Sequence, residues 1–276
     1  MSDWPGPGWY PDPSGRHALR WWDGRSWTTW VLDRPPAPAP RPPGVHSGAL
    51  AVAGALAGLV LSVLASAAWV GAGGSAGSPF GLLVSEAGLW AGLGGACVAA
   101  SRRHGTGRVL ADFAVALRPR DLGVALGASV GGRLAAGLVS LVVVQLGGGR
   151  FSGSNAGAFL PGGRRDALTV GVVAFMLVVG APFVEELFFR GLVQSSLRAR
   201  LGPGPAVALQ AAVFGLAHLN PSFGLANVSI VAGVAAFGLL QGAVREATGR
   251  LGPTMASHAL FNAAALALLL SGGPGG

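Results

Sequence analysis

From Ser47 onward the chain is a succession of apolar runs, at residues 48–74, 80–101, 122–147, 167–190, 205–219, 225–244 and 253–271. A helix rising about 1.5 Å per residue needs roughly 20 apolar residues to cross about 30 Å of hydrocarbon, and most of these runs reach that length. Backbone polar groups cannot be left unpaired in lipid, so runs of this kind form helices. The expectation is an all-α polytopic membrane protein with about seven spanning helices, six to eight allowing for boundary error. The run at 205–219 is too short to cross upright, so it is expected to be broken, re-entrant or extended by its flanks. Composition agrees: 51% of the residues are hydrophobic and 11% charged, where soluble domains carry about a quarter charged.

The net charge of +8 comes from 19 cationic residues, all of them arginine. They cluster before residue 42, at 102–120, at 190–200 and at 245–250, beside the apolar runs; Arg150, Arg164 and Arg165 form a separate group. Arginines placed this way signal topology and give no case for nucleic acid; by the positive-inside rule the N-terminus of this multi-pass protein is expected in the cytoplasm. The single cysteine, Cys97, lies in an apolar run without a disulfide partner. The first 47 residues hold no apolar stretch of the signal-peptide kind.

Residues 1–33 hold six of the eight tryptophans, with turn signals at Pro11-Asp12-Pro13-Ser14-Gly15 and Asp23-Gly24 between aromatic and β-branched segments. That pattern predicts a small β-meander stabilised by its tryptophans. Gly8-Trp-Tyr-Pro-Asp-Pro-Ser-Gly15, Arg20-Trp-Trp-Asp-Gly24 and Trp27-Thr28 resemble a short domain of unknown function found at the N-termini of many bacterial membrane proteins. The resemblance implies an accessory role, such as engaging a protein partner. Residues 34–46 read as a Pro-rich, extended linker. Residues 47–160 then form the first group of transmembrane helices, and 161–272 the second.

Polar residues interrupt the apolar pattern in that second group. Glu185 and Glu186 sit side by side in a spanning run; insertion costs of about 2.5–3.5 kcal/mol per acid at a helix centre must be offset by a proton, a cation or a polar cavity. Glu186 and Arg190 are four residues apart, so one helix face can hold them as an ion pair. Glu185 is rotated by about 100° and must do something else. Phe214 precedes His218 by one turn, and His258 precedes Asn262 by one turn in the last run. Rise per residue from the flanking arginines and Pro205 puts Glu185, His218 and His258 at comparable depths, about 20, 20 and 12 Å inward. Pro182 is expected to kink its helix and open space beside Glu185. Arg133 is a further intramembrane charge, expected to pair with an acid such as Glu86 or to line a cavity, and Asn220 and Asn227 are expected to cap or brace a short loop.

Glu185-Glu186-x-x-x-Arg190, Phe214-x-x-x-His218 and His258-x-x-x-Asn262, in that order, resemble the type II CAAX prenyl endopeptidases and bacteriocin-processing intramembrane proteases, the CPBP family with its abortive-infection-like members. The resemblance covers about residues 165 to 265 and rests on three motifs. It implies an intramembrane endopeptidase in which Glu185 and His218 hold and activate a water, His258 and Asn262 stabilise the oxyanion, and Glu186 with Arg190 supports them beside Phe214. A carboxylate held away from bulk water is the stronger base that such chemistry needs. The substrate implied is a hydrophobic or lipidated membrane-associated peptide or protein.

The family is often described as metalloproteases, and Glu185, His218 and His258 would be the zinc ligands on that reading. No His-Glu-x-x-His segment is present, however, and the metal-free scheme is preferred. A proton-coupled transporter using Glu185 and His218 would call for an internal repeat, which the sequence lacks; a non-catalytic scaffold would call for nothing of the polar motifs.

Overall fold

A computed structural model describes residues 6–33, 46–151, 160 and 165–272 of the chain, which divides into two compact units, Met1–Pro43 and Gly44–Gly276. The expected polyproline linker from Arg34 to Pro43 lies outside the described residues.

The N-terminal unit is the expected antiparallel meander: β1 (Gly8–Pro11), β2 (Leu19–Trp22) and β3 (Trp27–Leu32), in that spatial order. So small a sheet buries little, and its rings do most of the packing: Trp22 meets Trp27 edge-on at 5.3 Å, Trp9 meets Trp21 at 5.5 Å and Tyr10 meets Trp27 at 6.3 Å. The turn after β1 is organised by one carboxylate. Asp12 accepts from the Ser14 hydroxyl at 2.7 Å, the Ser14 and His17 amides at 3.1 and 3.0 Å, and Arg20 Nε at 2.9 Å. These donors, the Ser14 hydroxyl foremost, hold its carboxyl well below the usual range.

Among the described residues of the second unit, the regular elements are all helices. Its elements are α1 (Gly48–Gly71), α2 (Pro79–His104), the single turn α3 (Val109–Asp112), α4 (Asp121–Leu146), the long α5 (Ala167–Leu201), α6 (Pro203–Leu216), α7 (Asn227–Thr248) and α8 (Gly252–Leu270). Six helices among the described residues are long and apolar enough to cross a membrane. The seventh apolar run is α6, whose 14 residues extend only about 21 Å. Gly202 at φ 81° and Pro203 start it directly after α5, and Gly249 at φ 68° turns α7 into α8. Asn220 and Asn227 brace the loop between α6 and α7: the Asn227 side chain accepts from the Asn220 amide and donates to the Asn220 and Gly224 carbonyls, and the Asn220 side chain accepts from the Ser222 amide.

Outward faces carry Val63, Leu134, Leu138 and Leu146, all more than half exposed, which suits lipid and would not suit water. Within this unit, the segments around 118–121, 198–200 and 245–250 are joined by ion pairs, Arg250 with Asp121 and Arg198 with Glu246.

Two kinds of local geometry set the framework of the site. First, α1 and α2 meet glycine to glycine. A Cβ on Gly92 would lie 2.1 Å from the Gly58 nitrogen, and one on Gly88 would lie 2.6 Å from the Leu61 carbonyl oxygen. Without a hydrophobic driving force between helices in lipid, such close backbone approach is what supplies contact, and the Ser62 and Ser85 hydroxyls bond across the seam at 2.8 Å. Second, α5 is not a uniform α-helix. Phe175–Gly180 and Glu186–Val193 have the wider π-helical bonding, on either side of an α-helical Ala181–Glu185 whose second residue is Pro182. Pro182 has no N–H to donate; the wider turn before it lets the helix run on to Leu201, and π segments of this kind often mark functional sites.

Two outcomes follow. Asp12→Asn is expected to lower the unfolding temperature of the N-terminal unit at neutral pH, followed by tryptophan fluorescence. Because its folded carboxyl is depressed, the stabilisation by Asp12 is complete above the unfolded value of about 3.9 and disappears as pH falls through the folded one, so variant and wild type should converge in acid. Gly92→Ala should destabilise the helical unit in detergent by about 1–3 kcal/mol or more, because the helices must part, whereas Gly94→Ala, with open space around its Cβ, should be neutral or mildly stabilising.

Candidate active site

The centre of the second unit is a buried ionic group. Glu186 and Arg190, one turn apart on α5, are both fully buried, with Arg190 Nη1 donating to Glu186 Oε1 at 3.0 Å. His258 of α8 brings Nδ1 to the same oxygen at 2.9 Å. The guanidinium lies over the Phe214 ring of α6, Cζ to centroid 4.1 Å, and reaches the Gly238 carbonyl of α7 at 3.5 Å. One carboxylate thus ties α5 to α8, and one guanidinium ties α5 to α6 and α7. The expected ion pair and the supporting place of Phe214 are both present; the third member, His258, is an addition that spacing alone could not give, since it comes from 72 residues away.

Beside this group is a cavity of about 710 Å³. Glu185, His218, His258 and Asn262 all line it, so three separate segments deliver their polar side chains to one space. Glu185 Oε2 is buried and has no hydrogen-bond partner among the described residues. His218 Nδ1 lies 2.8 Å from the Phe214 carbonyl oxygen. A carbonyl can only accept, so Nδ1 carries the proton and Nε2 is left with its lone pair in the neutral ring. His258 has the same division of labour, Nδ1 donating to the Glu186 carboxylate. Both imidazoles are therefore oriented from behind through Nδ1, and both keep Nε2 for other work. Asn262 donates from Nδ2 to the Leu177 carbonyl at 2.7 Å, inside the π-helical stretch, which leaves one of its two N–H bonds.

A metal centre does not suit this arrangement. Among the described residues no three His, Cys, Asp or Glu side chains are grouped as ligands of one ion, so Glu185, His218 and His258 do not make the three-ligand set of a catalytic zinc.

The opposite wall of the cavity comes from the first helix group. Glu86 of α2 and Arg133 of α4 both line it. Arg133, for which pairing with an acid was one expectation and cavity lining the other, lines the cavity: its guanidinium donates to the Phe261 carbonyl and stacks on the Phe261 ring at 4.3 Å. Their charge in apolar runs was visible in the sequence, but no motif linked them to residues 100 or more positions away.

Comparison with known proteins agrees with this geometry. Residues 167–264 match the family model described as type II CAAX prenyl endopeptidase Rce1-like, and residues 7–42 match that of a protein of unknown function, DUF2510. The first match spans all the polar residues from Glu185 to Asn262, and marks this part of the chain as similar to intramembrane CAAX-type proteases. No curated protein and no solved structure matches the chain.

Breaking the buried pair should be costly. Glu186→Gln leaves the Arg190 cation without its counter-charge, and a loss of about 3–5 kcal/mol is expected, read as a fall in the unfolding temperature in detergent. Replacing both residues together, Glu186→Gln with Arg190→Met, should recover much of that loss.

Proposed function

We propose that the protein is an intramembrane endopeptidase that hydrolyses a peptide bond of a hydrophobic or lipidated, membrane-associated substrate, with water activated by Glu185 and His218. The observation that carries this reading is the convergence of Glu185, His218, His258 and Asn262 on one cavity, with both imidazoles anchored through Nδ1.

The chemistry is assigned as follows. Glu185 takes one proton from the water while the O–H that remains donates a hydrogen bond to His218 Nε2, which fixes the direction of the oxygen lone pair. The water oxygen bonds to the scissile carbonyl carbon, and the carbonyl oxygen becomes an oxyanion. Asn262 meets it with the N–H that Leu177 does not use. His258 joins as a donor through Nε2 when it carries a second proton, its Nδ1 staying on the Glu186 carboxylate. Donors of this kind stabilise the transition state by about 3–4 kcal/mol each. The tetrahedral species collapses as the C–N bond breaks, and the proton held by Glu185 passes to the departing amine. Glu186 and Arg190 act through position alone: they hold His258 and Phe214, and Phe214 in turn holds His218.

The arginine-rich segments are assigned to the cytoplasm of a bacterial cell, with the tryptophan-rich unit on that side as a docking module for a protein partner. No role for nucleic acid enters this reading.

The test is hydrolysis of quenched hydrophobic peptides by protein in nanodiscs. Glu185→Gln keeps the shape of the side chain and removes the base, so cleavage should fall by about two to four orders of magnitude with an unchanged unfolding temperature. An unaltered rate would rule out the proposed chemistry and return the transporter and scaffold readings to consideration.

A further inference from the structure

Arg133 stands outside the segment that matches the protease family, yet its side chain lines the cavity with Glu185, His218 and Asn262. It lies twelve residues into the 26-residue α4, about 18 Å along the helix from either end, close to the middle of a bilayer. A guanidinium at that depth is expensive unless something of opposite charge meets it. Its partners among the described residues are the Phe261 carbonyl oxygen and the Phe261 ring, both neutral. Glu86 and Glu185 line the same cavity, but neither lies within ion-pair distance of it. The cation is thus held by groups that orient it without neutralising it.

Its place in the cavity is informative as well. Phe261 immediately precedes Asn262, so the residue that orients Arg133 adjoins the residue assigned to the oxyanion. The rest of the lining is largely apolar, with Leu89, Trp90, Val234 and Leu266 among it. At about 710 Å³ the space has the size of a small-ligand site, enough for a few residues of peptide. A short apolar segment that carries one negative charge would satisfy both the walls and the cation.

We infer that Arg133 is the specificity-determining residue of this site, and that it selects substrates bearing a carboxylate within a few residues of the scissile bond. A guanidinium offers a planar fork that matches a carboxylate and stays charged in an apolar setting, which an ammonium does less well. The carboxylate has two sources in a peptide, the chain terminus and an acidic side chain. The inference rests on the peptidase reading, and its test separates the two.

The probes are three acetylated hydrophobic tetrapeptides: one ending in a free carboxylate, its C-terminal amide, and an amide carrying one glutamate side chain. Their binding to the full chain in nanodiscs is measured by calorimetry in wild type and in Glu185→Gln, which cannot turn over on the proposed scheme, and cleavage of longer quenched versions is followed in wild type. At least one acid should bind wild type about tenfold or more tighter than the neutral amide, the strength of a charge-assisted hydrogen bond. Which acid does so identifies the source. Arg133→Gln should bring that ratio close to one by raising KM for the acid with little change in kcat, and Arg133→Lys should restore part of it. A brace for α8 and nothing more would weaken acid and amide alike and lower the unfolding temperature. Equal binding of all three probes to wild type, or a preference that survives in Arg133→Gln, overturns the inference while leaving cleavage intact. Acid-selective binding without any cleavage keeps this inference and defeats the peptidase reading instead.

Discussion

An acid in the middle of a membrane helix has to be answered by charge, by a proton or by water, and Glu186 is answered by charge. Its Oε1 receives both Arg190 and His258, at 3.0 and 2.9 Å, with all three side chains removed from solvent. A buried ion pair of this kind adds little to stability against an apolar replacement, because desolvation offsets most of the attraction. What it does is fix position. The carboxylate sets the His258 ring, and the guanidinium, over Phe214, sets the end of α6 that carries His218. The candidate active site is built on those two anchors.

The same principle explains why neighbouring carboxylates differ. Glu186 faces into the bundle and is consumed by structure. Glu185, one position earlier, lines the cavity and enters no ion pair among the described residues, whereas Glu186 is paired with both Arg190 and His258. The π-helical segments of α5 are the backbone counterpart of this arrangement. They carry the helix past Pro182, and the first of them presents the Leu177 carbonyl that holds Asn262. Irregular helix geometry and polar side chains are gathered in the helix that supplies both acids, while α1 and α2 pack by plain backbone contact through glycine.

Much of this was legible in the chain. Apolar run lengths gave the spanning helices and singled out 205–219, which is the short α6. Four-residue spacing gave the Glu186–Arg190 pair and put Phe214 beside His218. Turn residues and tryptophans gave the three-stranded unit. Other features have no local signature. The changes of helix type on either side of Ala181–Glu185 are one of them: Pro182 was visible in the sequence, but not where the hydrogen bonds of α5 widen around it. The Glu186–His258 bond and the Arg133–Phe261 contact join residues 72 and 128 positions apart.

By itself, then, the sequence determined that this protein lives in a bilayer, which residues are polar within it, and which of them share a helix face, since hydrocarbon thickness and helical period are properties of local chain. Tertiary structure alone decided that the carboxylate paired with Arg190 also takes a histidine from α8, and that Glu185 shares one cavity with His218, His258 and Asn262. It also decided that each histidine is held by Nδ1 and that a wall of the cavity comes from α2 and α4. Those outcomes depend on how helices rotate and approach one another, and in lipid that is settled by close packing and by the pairing of buried polar groups across the bundle.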